Sequence, residues 1–512
     1  MRLTDPRRTG AALASGVALA LARPPFDLGA IAFVALVPLL WSWRGVRPRT
    51  AAKLGFVAGA AYNGIVVSWS WYFGAVAIVP FVAVLAAYWA LVGATIAAFD
   101  RRGIRHPLVT AAIWVVGEGL LARWPFGGFS WGEVGYSAHA LEPVRALGAL
   151  GGLPLISFVI VAANAALLDL ARARAGASRS AAFRATAVLL SLGVVVGAWA
   201  VVLPEPTRSG ELRFALLQGN DINRDLTRAE LDAGTLPENH FALAERLSGR
   251  FDLIVFPEST FLDAPNAPRP EYLGFRWPER LAALARKHDS YVLANGTGDA
   301  PDGRALNLDV LWDPSGTEVG TYAKRHRVPY GEWVPFRSFL ERFIDEVDQI
   351  PRDFAPGSTR GEFVLDGTRI ATVICFESMF GAEVRPLVAR GAEVIVVSTN
   401  NRSYRHSANA SQHLAAEQIR AVETGRPVLR ASISGISAVI DADGTIVARQ
   451  GLFDNGILQG TIVTRTGSTP YVRFGEWVLW GSGAALLAAG GLVAARAFAR
   501  DRATFVDSAN HG

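Results

Sequence analysis

The first 203 residues hold seven carboxylates (Asp5, Asp27, Asp100, Glu118, Glu133, Glu142 and Asp169), while the 309 that follow hold the other 38 of the chain's 45. Apolar runs fill the acid-poor stretch, at about 10–22, 28–43, 54–73, 76–99, 107–122, 150–170 and 184–203, and an eighth lies at about 477–498. Most approach the ~20 residues that a helix needs to cross a bilayer. The chain therefore divides into a membrane part and a water-facing part. The expected organisation is an N-terminal membrane domain of about seven transmembrane helices (1–204), a water-soluble domain (205–475), a last transmembrane helix (476–499) and a cytoplasmic tail (500–512).

Basic residues cluster at Arg2/Arg7/Arg8, Arg44/Arg47/Arg49/Lys53, Arg101/Arg102/Arg105, Arg172/Arg174/Arg179/Arg184 and Arg496/Arg500/Arg502. With eight spans these clusters fall on one side, which the positive-inside rule makes cytoplasmic. Segment 205–475 and the loop 123–149 then lie outside the cytoplasm. The net charge of +5 is explained by this topology, so no nucleic-acid partner is expected. A cleaved signal peptide is the competing reading of residues 1–22, but the later clusters alternate correctly without it. A single cysteine excludes internal disulfides and cysteine-based zinc sites.

The long segment reads as an α/β domain. Strands are expected at 211–218, 251–258, 290–295, 306–324 (a hairpin around Pro-Ser-Gly), 362–375 (a hairpin around Asp-Gly), 392–400 and 436–449. Helical patterns intervene in LPENHFALAERLSG, WPERLAALARKH, FESMFGAEVRPLVARG and NASQHLAAEQIRAVETG. Strands alternating with helices, together with hairpins, predict a mixed sheet covered by helices.

Three chemically capable residues stand at strand ends, where α/β domains place ligands. FDLIVFPEST carries Glu258, TEVGTYAKRH carries Lys324, and RIATVICFES carries Cys375. A carboxylate, an ammonium and a thiol in one crevice supply a base, an oxyanion stabiliser and a nucleophile. Each also has an ordinary reading: a helix-capping acid, a solvated cation and a small buried hydrophobe. Lys324 is one of only three lysines (53, 287 and 324) among 50 basic residues, which argues for a task that arginine does not serve. A helix starting at FESM is expected to place Cys375 at its N-terminus and favour thiolate. Glu332, in the short loop Tyr330–Pro335, is placed to fold back over the strand ends. Glu118 is expected to form a structural ion pair with Arg123. His406 and His413 read as satisfied or exposed histidines rather than metal ligands, and no metal site is expected.

FPES, AKRHRVPYGEWVPF and VICFES, in that order, resemble the glutamate, lysine and cysteine motifs of the nitrilase (carbon–nitrogen hydrolase) superfamily. With spans on both sides, and with GGFSWGEVGYS, LGALGGLPLISFVI and ETGRPVLRASISGISAVIDADG, the whole chain resembles the apolipoprotein N-acyltransferase family. The resemblance implies an α-β-β-α nitrilase-like sandwich held outside the cytoplasm of a bacterial inner membrane. It implies Glu258 as general base, Lys324 as oxyanion stabiliser and Cys375 as acyl-carrying nucleophile, with Glu332 a second essential acid and Glu377 supporting the site. It implies a phospholipid acyl donor, a diacylglyceryl-modified apolipoprotein acceptor, a monomer in the bilayer, and no cofactor.

Two departures stand out. Phe376 occupies a position where many members have tyrosine, and TNNRSYRHSANASQH replaces the family's Asn-Asp-Ala-Trp stretch, leaving Asn400 and Asn401, with Phe376, as candidate substrate contacts. Trp277, Phe336, Phe339 and Phe343 are expected to be exposed lid or membrane-facing residues. The alternatives are a membrane-tethered amidase or nitrilase that passes its acyl group to water, and a non-catalytic lipoprotein-binding protein of the same fold.

Overall fold

The computed structural model describes residues 5–174, 179–202, 206–219, 227, 229–230, 234–261, 265, 276–342, 350 and 352–491. Each of the eight apolar runs is helical: α1 (Pro6–Leu21), α2 (Gly29–Trp43, in short successive turns), α3 (Pro48–Val66), α4 (Ala75–Arg101), α5 (Pro107–Leu121), α6 (Gly148–Arg174), α7 (Arg179–Val202) and a last helix from Trp477 to Gly491. The run expected at 54–73 breaks after Val66, because Ser68–Phe73 turns as a 3-10 segment. Among the described residues α4, α6 and α7 are long and apolar enough to cross a membrane unaided. The 15 residues of α5 reach only about 22 Å at ~1.5 Å per residue, short of the ~30 Å hydrocarbon core.

Small residues set the packing of the bundle. A Cβ on Gly55 would lie 2.4 Å from the Trp89 carbonyl oxygen, so α3 meets α4 backbone to backbone only because that position is bare. Arg44 joins Asp100 and Asp169 at 2.8 and 2.9 Å, pairing the acids near the C-terminal ends of α4 and α6. Glu118 does not pair with Arg123. Its Oε1 accepts instead from the Trp114 indole (2.9 Å) and the Val134 amide (2.8 Å), while Arg123 reaches across to Glu476. Sequence distance hid this partner, which lies 353 positions away.

The intervening domain has two six-stranded mixed sheets. The first has the order β12-β1-β2-β3-β4-β5 and the second β11-β10-β9-β8-β7-β6. In chain order these strands are β1 (Thr207–Gln218), β2 (Leu253–Val255), β3 (Tyr291–Asp299), β4 (Ala305–Trp312), β5 (Glu318–Ala323), β6 (Glu362–Leu365), β7 (Thr368–Ile374), β8 (Val394–Thr399), β9 (Val428–Ser432), β10 (Ala438–Ile440), β11 (Ile446–Arg449) and β12 (Gly456–Thr466). The runs β1-β2-β3 and β7-β8-β9 are parallel and the other pairings antiparallel. Leu216, Val255, Leu293, Ile370, Ile374, Val396 and Leu429 fill the space between the sheets. Helices α8 (Thr235–Glu245) and α9 (Trp277–His288) cover the outside of the first sheet, and α10 (Gly381–Ala389) and α11 (Asn409–Thr424) the outside of the second. The last apolar helix, Trp477–Gly491, is α12.

The two parts meet through one continuous core. Phe376, Met379, Phe380, Ala416 and Ile419 pack into the apolar cluster of the helical bundle. Gly152, at φ 70, bends α6 just where the Tyr471 ring crosses it; a Cβ there would lie 2.5 Å from the ring, so only glycine fits both the angle and the space.

Candidate active site

Each expected catalytic residue leaves the end of a strand. Glu258 follows β2, Lys324 follows β5 directly, and Cys375 follows β7 directly. The first two belong to one sheet and the third to the other, so the site straddles the sandwich. Glu258 and Lys324 are buried at 4% and 2% exposure, and Cys375 is partly exposed.

Lys324 Nζ donates to Glu258 Oε1 at 3.2 Å and to Glu332 Oε1 at 2.9 Å. An ammonium has three protons. Two are used, and the third has no partner among the described residues. Burial disfavours charge on Lys324, but the Glu258 and Glu332 carboxylates outweigh it and hold its pKa well above the ordinary value. The Tyr330–Pro335 loop does fold back: Glu332 Oε2 accepts from the Val328 amide at 2.8 Å while Oε1 reaches the lysine.

Glu258 Oε1 also accepts from Asn307 Nδ2 at 2.8 Å, and no hydrogen bond reaches Oε2 among the described residues. Asn307 is held in turn by Asn295, which also donates to Asp309 Oδ1 (both 2.9 Å), and Thr372 of the opposite sheet donates to Asp309 Oδ2 at 2.6 Å. Burial raises the Asp309 carboxyl to about 6. The sequence reading singles out none of these four residues, Asn295, Asn307, Asp309 and Thr372. The signal was present in ALNLDVLW, where Asn307 and Asp309 interrupt an apolar strand at a spacing of two and so share a face.

The thiol differs from expectation. The element after Cys375 is a five-residue 3-10 turn, Cys375–Met379, and the α-helix begins only at Gly381. Burial, followed by the Glu258 carboxylate, pushes the Cys375 thiol up to about 12, against the lowering by Lys324, the Thr399 hydroxyl and the Asn400 amide. The resting group is a neutral thiol rather than a thiolate, because a short turn offers no helix dipole to offset an apolar setting beside a carboxylate.

Glu377 is fully buried and ties the two halves of the site together. Tyr322 Oη donates to both of its oxygens (2.8 and 2.9 Å), the Arg325 and His326 amides donate to Oε1 (2.7 and 3.0 Å), and the Ile374 amide donates to Oε2 (2.8 Å). Phe376 is buried among Phe129, Trp131, His326 and Phe380. The Asn400 side chain accepts from the Arg402 amide at 2.9 Å. Asn401 bonds Asn409 (2.8 Å) and Arg430 (2.7 Å) within the domain. His406 packs on Phe453, and His413 lies behind the cysteine loop. Phe336 and Phe339 are exposed as expected; Trp277 is not, being stacked on Phe241, and Phe343 lies outside the described residues.

Two family models match this chain: the apolipoprotein N-acyltransferase N-terminal domain over residues 15–166 and carbon-nitrogen hydrolase over 215–471. The chain is 31% identical over 520 residues to the apolipoprotein N-acyltransferase of Geobacter metallireducens, covering 96% of this chain and 95% of that one. It belongs to the apolipoprotein N-acyltransferase family. The family member of Gloeobacter violaceus is 31% identical over 513 residues (95% and 94% covered), and that of Methylococcus capsulatus 32% over 489 (91% and 92%). Both halves are thus shared with the family, which makes the helical part as much a family character as the hydrolase-like domain.

Proposed function

We propose that the protein is a bacterial membrane N-acyltransferase that moves a fatty acyl chain from a phospholipid, through a thioester on Cys375, to the α-amino group of an S-diacylglyceryl-cysteine at a lipoprotein N-terminus. One observation carries the chemistry: among the described residues every bond to Glu258 lands on Oε1 and two of the three Lys324 protons are engaged, leaving one carboxylate oxygen and one cationic donor close enough to the chain's single thiol to interact with it electrostatically. Glu258 Oε2 takes the thiol proton as Sγ attacks the lipid ester carbonyl. The negative oxygen that forms meets the third Lys324 proton. Collapse breaks the ester C–O bond, and the proton on Glu258 goes to the departing lysolipid alcohol. The lipoprotein amine then attacks the thioester, Glu258 removes its proton, and the sulfur leaves and recovers it. A neutral resting thiol suits this cycle, since deprotonation is coupled to attack.

Both substrates are lipid-anchored, and a catalytic domain packed on apolar helices meets them without extracting either. Eight spans with the domain outside the cytoplasm, a monomeric state and the domain limits near 204 and 475 belong to this proposal, and the basic clusters support the orientation. The test is to incubate purified protein with phospholipid and no acceptor. One acyl group should appear on Cys375, be released by neutral hydroxylamine, and be discharged as an amide by a diacylglyceryl peptide; Cys375→Ala should never charge. Loss of the acyl group to water as fast as it forms would favour the membrane-tethered hydrolase. Full transfer by Cys375→Ala would refute the covalent mechanism.

A further inference from the structure

Cys375 has φ 52, a left-handed conformation that L-residues with a Cβ rarely adopt. Something must hold it, and two side chains converge on its carbonyl oxygen: Ser378 Oγ at 3.0 Å and His413 Nε2 at 3.1 Å. A hydroxyl has one proton and a carbonyl only accepts, so a grip by both side chains has Ser378 donating here rather than to Glu417 and a protonated Nε2 on His413. Its Nδ1 then presents a lone pair to Asn401 Nδ2 and Arg430 Nη2, both at 3.5 Å. Burial and then the Arg430 charge hold the imidazole well below its usual pKa, so it is neutral and keeps this one tautomer.

The network is closed and buried. Ser378 Oγ lies 2.8 Å from His413 Nε2 and 3.1 Å from Glu417 Oε1, and Arg430 pairs with Glu417. His413, Glu417, Arg430 and Ser378 are all at most 1% exposed. The helix carrying His413 is fixed from the other side by the membrane part. Gln412 accepts from the Trp131 and Trp69 indoles (2.7 and 3.2 Å) and donates to the Pro24 carbonyl (3.2 Å), and the Trp131 ring lies 5.7 Å from the imidazole.

We propose that His413 and Ser378 are positioning residues for the nucleophile: by gripping the Cys375 carbonyl they fix the left-handed backbone that aims Sγ, and α11 ties that grip to the helical bundle. The peptide is planar and trans, so its Phe376 N–H points opposite the held carbonyl. The same two bonds therefore set the direction of that amide as well.

The inference rests on the acyl-transfer reading, and its test separates the two. Cys375 is the only cysteine, so its alkylation by iodoacetamide reports the thiol without any acyl donor. In the full-length protein, His413→Leu should lower kcat for acyl-enzyme formation roughly 100-fold, and Ser378→Ala roughly tenfold, with KM within about twofold, as expected for a misaimed group. Alkylation should slow in parallel. His413→Gln, whose amide N–H replaces the Nε2 donor, should recover most of both rates. A folded His413→Leu that charges and alkylates within about threefold of wild type overturns the proposal, as does equal loss in the Leu and Gln variants. Should His413→Leu fail to fold, Ser378→Ala decides alone, and unchanged rates there overturn it. Wild-type protein that alkylates but never takes acyl from phospholipid refutes the proposed function, and the alkylation series still judges the network.

Discussion

Lys324 spends two N–H bonds on carboxylates and, among the described residues, has one left, a division that a compact three-proton cation allows. A guanidinium at the same place is planar and presents its donors in a fixed fork. Lys324→Arg keeps the charge and is expected to lose roughly a hundred- to a thousand-fold in kcat, the ~2.7–4 kcal/mol typical of one lost oxyanion donor. Turnover near wild type in a folded Lys324→Arg protein would reduce the lysine to a structural cation. The scarcity of lysine made this residue visible in the sequence, as its strand-end position did for Glu258 and Cys375. The ionisation of the cysteine was not visible. It depends on the length of the turn after Ile374 and on a carboxylate 117 positions away, neither of which a local pattern records.

At the scale of elements, Glu377 joins the end of β5 to the end of β7, accepting from Tyr322, Arg325 and His326 on one side and Ile374 on the other. Lys324 and Cys375 stand immediately beside those contacts, so this carboxylate, with the Thr372–Asp309 bond deeper in the sandwich, holds their separation. Glu377→Gln turns an acceptor-only group into one that also carries two donors, and at least one N–H then faces another N–H. We expect a loss of about 1–3 kcal/mol in stability, read from denaturant unfolding, for the buried donor left unsatisfied. Acyl-enzyme formation should slow at least tenfold. Unaltered unfolding and charging would show that the two strand ends hold their spacing without it. The strands flanking this link followed their apolar runs closely, including the Asp-Gly hairpin between β6 and β7. β12 escaped notice because it is an edge strand with an irregular burial pattern, and GILQGTIVTRT offers no clean alternation. β2 is shorter than FDLIVFPE suggests, since the backbone must turn at Pro257 to bring Glu258 over the sheet end.

For the whole molecule, the orientation proposed from the basic clusters puts Cys375 outside the cytoplasm. A membrane-impermeant maleimide applied to spheroplasts should label the sole cysteine there, with permeabilised cells as the reference. Labelling confined to the cytoplasmic face would reverse the topology. The apolar helices and the alternation of strands with helices were readable from periodicity, but periodicity predicted one mixed sheet where there are two, and the α-β-β-α plan came only from the family resemblance. The way the two parts interlock was not, because it rests on Phe376, Gln412 and Tyr136, whose partners are hundreds of residues distant.

The first and last strands of the catalytic domain are neighbours, paired antiparallel from Thr207↔Thr466 to Gln218↔Gly456. The polypeptide thus enters and leaves this domain through a single doorway. An ancestral soluble hydrolase could be spliced into one loop of a helix bundle by two nearby joins, disturbing the connectivity of neither. Topologically the catalytic domain is a closed insert, and a change at either join acts on both at once because the two strands share one ladder.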